Sequence, residues 1–209
     1  MLSIQKQFLF LHVPKTGGNS IQNILSKYSE DEIVITQPYQ DGKERFEVKG
    51  KHEKLTKHSS LNDYRLFLDA DLFERLFKFS TIRNPWERLI SMYFSQNMGR
   101  NEWSRNTFVE MLKKTPPLEH YICLKTSFFS RFTREQNALD SSIDFLIRFE
   151  ALEADFHTAC RQIGLPPQPL PILNNSSRAH YSRYYDKELA SLVAKKYARE
   201  IEWGNYCLD

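Results

Sequence analysis

A short apolar run, Phe8 to Leu11, gives way within a few residues to Pro14-Lys15-Thr16-Gly17-Gly18, and a stretch with helical spacing begins at once afterwards. Glycine is scarce in this chain, with only 7 in 209 residues, so two in succession mark a place where the backbone needs unusual freedom. Residues Gln7 to Val13 read as a buried strand, rich in Phe and Val and ended by Pro14. From Ser20 to Tyr28, the residues Ile21, Ile24 and Leu25 share one helical face at spacings of three and four. The unit is strand, tight glycine turn, helix. Such a turn collects backbone N–H groups and the positive end of a helix dipole at one point, which is a place for an anion.

A second unit of the same kind spans Phe77 to Ser91. Phe77, Phe79 and Thr81 alternate with Lys78, Ser80 and Ile82, and then Arg83-Asn84-Pro85-Trp86-Glu87 begins a helix running through Leu89, Ile90, Tyr93 and Phe94. Asn84 suits the N-cap, Pro85 the first helical position, and Glu87 the third, as a capping box requires. Ile143 to Phe149 is a third strand candidate, followed by a helix from Glu150 to Ile163 that Gly164 and two prolines end. Repeated strand-turn-helix units with buried strands predict an α/β fold with a central parallel sheet flanked by helices, and ligands beyond the carboxyl ends of the strands. Asp41 to Asp63, polar and lysine-rich, reads as loop and short helix. Asn106 to Lys114 reads as a helix stopped by Pro116-Pro117, Asn174 to Arg183 as loop, and Asp186 to Trp203 as one closing helix.

Hydrophobic residues make up 41% of the chain and aromatics 13%, which excludes disordered, collagen-like and coiled-coil classes. With no repeat or long linker, residues 1–209 read as a single domain. A formal charge of +3 is too small to argue for coating nucleic acid, so no nucleic-acid partner is expected. No apolar run approaches the length of a membrane span, so no membrane anchor is expected. Cys123, Cys160 and Cys207 are odd in number and widely spaced, which suits a reducing, cytoplasmic location and offers no zinc grouping.

The first turn is not a Walker A loop, because its Lys and Thr precede the glycines instead of following them, and a nucleotide kinase is disfavoured accordingly. Arg83 ends the second strand and Ser91 follows the Asn84 cap by two helical turns, so both can face the same corner of the sheet. A guanidinium and a hydroxyl converging there suit a second phosphate.

Together these motifs resemble the sulfotransferases that use 3′-phosphoadenosine 5′-phosphosulfate (PAPS), in particular the carbohydrate-type branch that includes heparan sulfate 2-O-sulfotransferase and many short bacterial members. His12 to Ser20 is similar to the 5′-phosphosulfate loop of that family, and Phe79 to Tyr93 to its 3′-phosphate motif. Arg148-Phe149-Glu150-Ala151-Leu152, Asp155-Phe156, Leu173-Asn174 and His180-Tyr181 recur in the order of that branch. The resemblance implies a P-loop-like three-layer fold. It assigns Lys15 to the 5′-phosphosulfate as a catalytic and donor-binding residue, with Thr16, Gly17, Gly18, Asn19 and Ser20 as further donors, and gives the 3′-phosphate to Arg83 and Ser91. Asn19 stands where the family often has Thr.

In-line sulfuryl transfer needs positioned charge and a base for the acceptor proton, and a cationic Lys with backbone amides meets the first need, so no metal is expected. For the base, Lys57-His58-Ser59-Ser60 resembles the Lys-His element that the branch carries before its 3′-phosphate strand, which makes His58 the first choice. His52 is its rival in a similar context, and Glu53 serves if the base is a carboxylate. His12 reads as a brace for the loop, and His180, with Arg178 and Arg183, as part of a loop that either closes over the nucleotide or is simply a solvated basic loop. Trp86, Tyr93, Phe94 and Trp103 either stack on a ligand ring or belong to the core. The expected partner is a small-molecule or saccharide acceptor. The rival class is a non-catalytic nucleotide-binding or scaffold protein that keeps the donor site.

Overall fold

A computed structural model describes residues 1–38, 44–49, 54–96, 102–124, 143–171 and 179–208. In chain order its elements are β1 (Leu2–Ser3), β2 (Phe8–Leu11), α1 (Gly18–Leu25), β3 (Glu32–Pro38), β4 (Glu44–Lys49), α2 (Leu61–Phe67), α3 (Ala70–Arg75), β5 (Phe77–Ile82), α4 (Pro85–Gln96), α5 (Arg105–Lys114), α6 (Glu119–Ile122), β6 (Phe145–Arg148), α7 (Leu152–Gln162), α8 (Lys187–Lys196) and α9 (Ala198–Gly204). The main sheet has four strands in the order β1-β2-β5-β6. β2 and β5 are parallel, with Phe8 opposite Phe77 and Leu11 opposite Ser80, and β5 and β6 are parallel, with Phe79 opposite Phe145. The short β1 pairs antiparallel on the outer edge of β2. Because β2 and β5 run the same way in register, the glycine turn and Arg83 leave the sheet at the same edge.

Both faces of the sheet are covered, as near-continuous apolar strands require. On one face Phe8, Phe10, Phe79 and Ile147 meet Ile21, Ile24 and Leu25 of α1 and Phe156, Ala159 and Cys160 of α7. On the other, Leu9, Leu11 and Ile82 meet Leu61 and Tyr64 of α2, Phe73 of α3, and Tyr121 and Ile122 of α6. The result is helix, sheet, helix: the expected α/β architecture with a mostly parallel sheet. A further apolar cluster joins Trp86, Leu89, Ile90 and Tyr93 of α4 to α5 and α8. Within it a buried ion pair pins α4 to α9, with Arg88 Nη2 3.0 Å from Glu200 Oε1. That same oxygen accepts the Leu118 N–H at 2.6 Å. Among the described residues, no helix is long and apolar enough to cross a membrane.

Three local readings change. Part of the segment read as loop and short helix is strand: β3 and β4 form an antiparallel pair, Glu32 opposite Lys49. Phe46 and Val48 alternate there with Arg45, Glu47 and Lys49, a period of two hidden within a charged stretch. The closing helix is two helices, broken at Tyr197, whose φ of −112° and ψ of 30° leave the helical region. Its ring is fully buried and its hydroxyl donates to Thr115 O at 2.9 Å, so tertiary packing overrides a helical period that runs on through the break. The helix after β6 begins at Leu152, because Phe149–Ala151 form a 3-10 turn.

Candidate functional site

The glycine turn is braced from within. Thr16 is buried, and its hydroxyl donates to Val13 O at 2.7 Å while accepting from the Thr81 hydroxyl on β5. Lys15 has a φ of 69° and Gly17 a φ of 87°, so the chain turns through the left-handed region on both sides of Thr16. Gly17 accommodates this at no steric cost, whereas Lys15 must be held there. The hold is visible: Arg83 Nη1 donates to Lys15 O at 3.0 Å.

Gly17 and Gly18 are required for different reasons. A Cβ on Gly17 would lie 3.0 Å from Leu152 Cδ2 and 3.1 Å from Phe149 Cδ2, on a backbone that is already left-handed. A Cβ on Gly18 would lie 2.4 Å from His12 Cδ2, a clash with a rigid ring. Gly17 caps α1 without a side-chain acceptor, and the first turn of α1 contains no acidic residue. The positive end of α1 therefore stays uncompensated from within its own turn. Ser20 donates its hydroxyl to Pro171 O at 2.7 Å, and Asn19 Oδ1 is buried with no hydrogen-bond partner among the described residues.

Arg83 sits at the end of β5, nearly buried. Besides Lys15 O, it bonds Glu87 Oε1 through Nη2 at 2.6 Å, and its guanidinium carbon lies 3.7 Å from the centroid of the Phe149 ring. This rearranges the expected capping box. Asn84 Oδ1 caps the Trp86 N–H at 3.1 Å, but Glu87 turns to Arg83, and the Asn84 N–H donates to Glu150 Oε1 at 2.9 Å. Ser91 stands two turns along α4 from Asn84, partly buried.

His58 reaches the same edge from the turn before α2. That turn is fixed by the Ser59 N–H on Thr56 O at 3.1 Å and by a Ser60–Asp63 capping box. His58 Nδ1 lies 3.1 Å from His12 O, and a carbonyl only accepts, so in neutral His58 the hydrogen is on Nδ1 and Nε2 is the acceptor nitrogen. The two imidazoles are 4.9 Å apart. Burial holds the His12 ring well below its ordinary pKa, and the neighbouring His58 and Lys57 push the same way. His12 is thus a neutral brace that packs against Gly18.

The structure therefore brings together Lys15, Thr16, Gly17, Gly18, Asn19, Ser20, Arg83 and His58 at one edge of the sheet. His52 and Glu53 lie outside the described residues. His180 is exposed, its ring on Tyr181 and its Nδ1 2.9 Å from Ser182 Oγ. Trp86 and Tyr93 belong to the core: Trp86 Nε1 donates to Ala190 O at 3.2 Å, and Tyr93 OH accepts the Ser104 N–H at 2.9 Å. Phe94 and Trp103 pack against them. Glu87 and Phe149 at the Arg83 corner, and Glu150 on the Asn84 N–H, were not legible as contacts. The match of Arg148 to Leu152 to the sulfotransferase branch was a signal for Phe149 and Glu150, and the capping-box spacing for Glu87. Among the described residues, no group of three or more His, Cys, Asp or Glu side chains could hold a metal ion.

A mostly parallel sheet with helices on both faces, a glycine turn and an arginine at one strand edge thus make up the candidate anion site. A model of the sulfotransferase family matches residues 1–206, and the chain belongs to that family. Its members transfer sulfuryl groups. Among solved structures, a sulfotransferase from Alicyclobacillus acidocaldarius is similar over 97% of this chain and 96% of that chain, at 15% identity and a TM-score of 0.44. No curated protein sequence matches the chain.

Proposed function

We propose that this sulfotransferase takes its sulfuryl group from PAPS and passes it to a hydroxyl of a carbohydrate or other small acceptor, as in the carbohydrate-type branch. The observation that carries this reading is the 3.0 Å bond from Arg83 to Lys15 O, which joins two cationic motifs separated by 68 residues. One donor molecule with two separated phosphates would span that junction.

The residues present fit such a donor. Helix α1 starts at the glycine turn with no acidic residue in its first turn, and Arg83 Nε is a buried N–H donor with no hydrogen-bond partner among the described residues. In this reading Lys15 and the backbone N–H groups of Thr16 to Asn19 hold the 5′-phosphosulfate, the Ser20 N–H being bonded to Gly17 O at 3.2 Å, and Arg83 with Ser91 holds the 3′-phosphate. The Thr16 and Ser20 hydroxyls, already donating to Val13 and Pro171, shape the cradle from within. When bound, PAPS supplies an activated sulfuryl group: its bond to the 5′-phosphate oxygen breaks as the acceptor oxygen bonds to sulfur. Lys15 neutralises charge on the departing phosphate oxygen, and His58 takes the acceptor proton on Nε2 while His12 O holds its Nδ1–H. The positive charge comes from Lys15 and backbone amides, with no metal invoked. The odd, scattered cysteines suit a cytoplasmic setting.

Transfer of a radiolabelled sulfuryl group to a panel of saccharide and small hydroxyl acceptors tests the reading. Turnover on at least one acceptor, abolished by Lys15→Ala, supports it. Turnover that survives Lys15→Ala would contradict it.

A further inference from the structure

The segment that leaves β6 touches both halves of the candidate site. The Phe149 ring lies under Arg83, 3.7 Å from centroid to guanidinium carbon. The same ring bounds the glycine turn, its Cδ2 3.1 Å from where a Cβ on Gly17 would stand. Glu150 beside it accepts the Asn84 N–H, and Leu152 closes on Gly17 as well. One short stretch of chain thus brackets Gly17, Arg83 and Asn84.

Hydrogen bonds alone do not hold Arg83. Nη1 donates to Lys15 O and Nη2 to Glu87, but Nε is buried with no hydrogen-bond partner among the described residues. A face-on aromatic ring attracts the cation through its quadrupole and fixes the plane in which the N–H groups point, which an aliphatic side chain of similar bulk does not do. That plane matters, because a guanidinium recognises a phosphate through N–H groups lying in one plane.

We infer that Phe149 is a positioning residue that sets the plane of Arg83 for anion recognition. The inference rests on the assignment of Arg83 to the 3′-phosphate. Loss of the aromatic face lets the guanidinium plane tilt about its bonds to Lys15 O and Glu87. Affinity for a 3′-phosphate then falls by roughly tenfold, the scale of a partly desolvated cation–π contact, while affinity for a nucleotide lacking that phosphate is unchanged.

Calorimetric titration of the full chain with adenosine 3′,5′-bisphosphate and with AMP tests this on Phe149→Leu, Phe149→Met, Phe149→Tyr and Arg83→Ala. The Leu and Met variants are expected to lose bisphosphate affinity and keep AMP affinity, with Tyr restoring wild-type selectivity. Wild-type selectivity in both Leu and Met would overturn the inference. So would an equal loss for both ligands, which would mean that Phe149 only packs the glycine turn. If Arg83→Ala keeps the preference for the bisphosphate, the assignment of Arg83 fails. If Arg83→Ala abolishes that preference and the Phe149 variants retain it, only the inference about Phe149 fails.

Discussion

The His12 ring fills the space that a side chain on Gly18 would need, its Cδ2 2.4 Å from an ideal Cβ. A strand-end residue and a helix-start residue are thereby locked across the glycine turn. Gly18→Ala forces one of them to move, with a cost of about 1–3 kcal/mol for overpacking a rigid site. Adding His12→Ala removes the obstacle, so the double variant is expected to melt above Gly18→Ala plus the separate cost of His12→Ala. Strictly additive melting shifts would show that the two residues do not meet.

His12 also makes stability depend on pH. Burial keeps its folded pKa well below the ordinary 6.5, with His58 and Lys57 adding to the shift and Gln22 opposing it. A proton therefore binds the unfolded chain more readily. The His12 contribution is complete above about pH 6.5 and is lost progressively as the pH falls below that value. Urea unfolding at a series of pH values should show a midpoint that falls on acidification, with a smaller fall in His12→Gln. An identical fall in the variant would assign the effect to other groups.

Arg88 and Glu200 form the buried link between α4 and α9, each side chain 1% exposed. Burial, its largest influence, raises the Glu200 pKa, while Arg88 and the Leu118 N–H oppose the shift. Removing one partner leaves the other charge buried, so Arg88→Ala should cost about 3–5 kcal/mol in urea unfolding. A loss below about 1 kcal/mol, the scale of an exposed pair, would contradict the burial described.

His58→Ala should lower turnover by on the order of 10²- to 10⁴-fold, the usual contribution of a general base, and leave donor affinity unchanged. Steady-state rates alongside calorimetry separate these effects. A variant that binds donor normally and turns over at the wild-type rate would remove His58 from the chemistry.

The sequence made legible whatever is local to one strand-turn-helix unit. The turn at Lys15 to Ser20, the helix start at Asn84 and the parallel sheet all follow from short apolar runs broken by Gly, Pro or a capping residue. Contacts across units were not legible. Glu87 was read as a capping partner because its spacing fits, yet Arg83 draws it away and Glu150, from another strand, takes the vacated N–H. The Thr16 and Ser20 hydroxyls were expected to face an anion, and both donate to carbonyls of the chain. Tyr197 broke a helix whose period gave no warning, because the cause is a carbonyl 82 residues away.

The most direct test of the central claim is calorimetric comparison of adenosine 3′,5′-bisphosphate, AMP and ATP on the unmodified chain. The account predicts that the bisphosphate binds most tightly, with a preference over AMP that disappears in Arg83→Ala. Equal affinity for the bisphosphate and AMP would contradict it, and the junction of Lys15 and Arg83 would then serve some other anion.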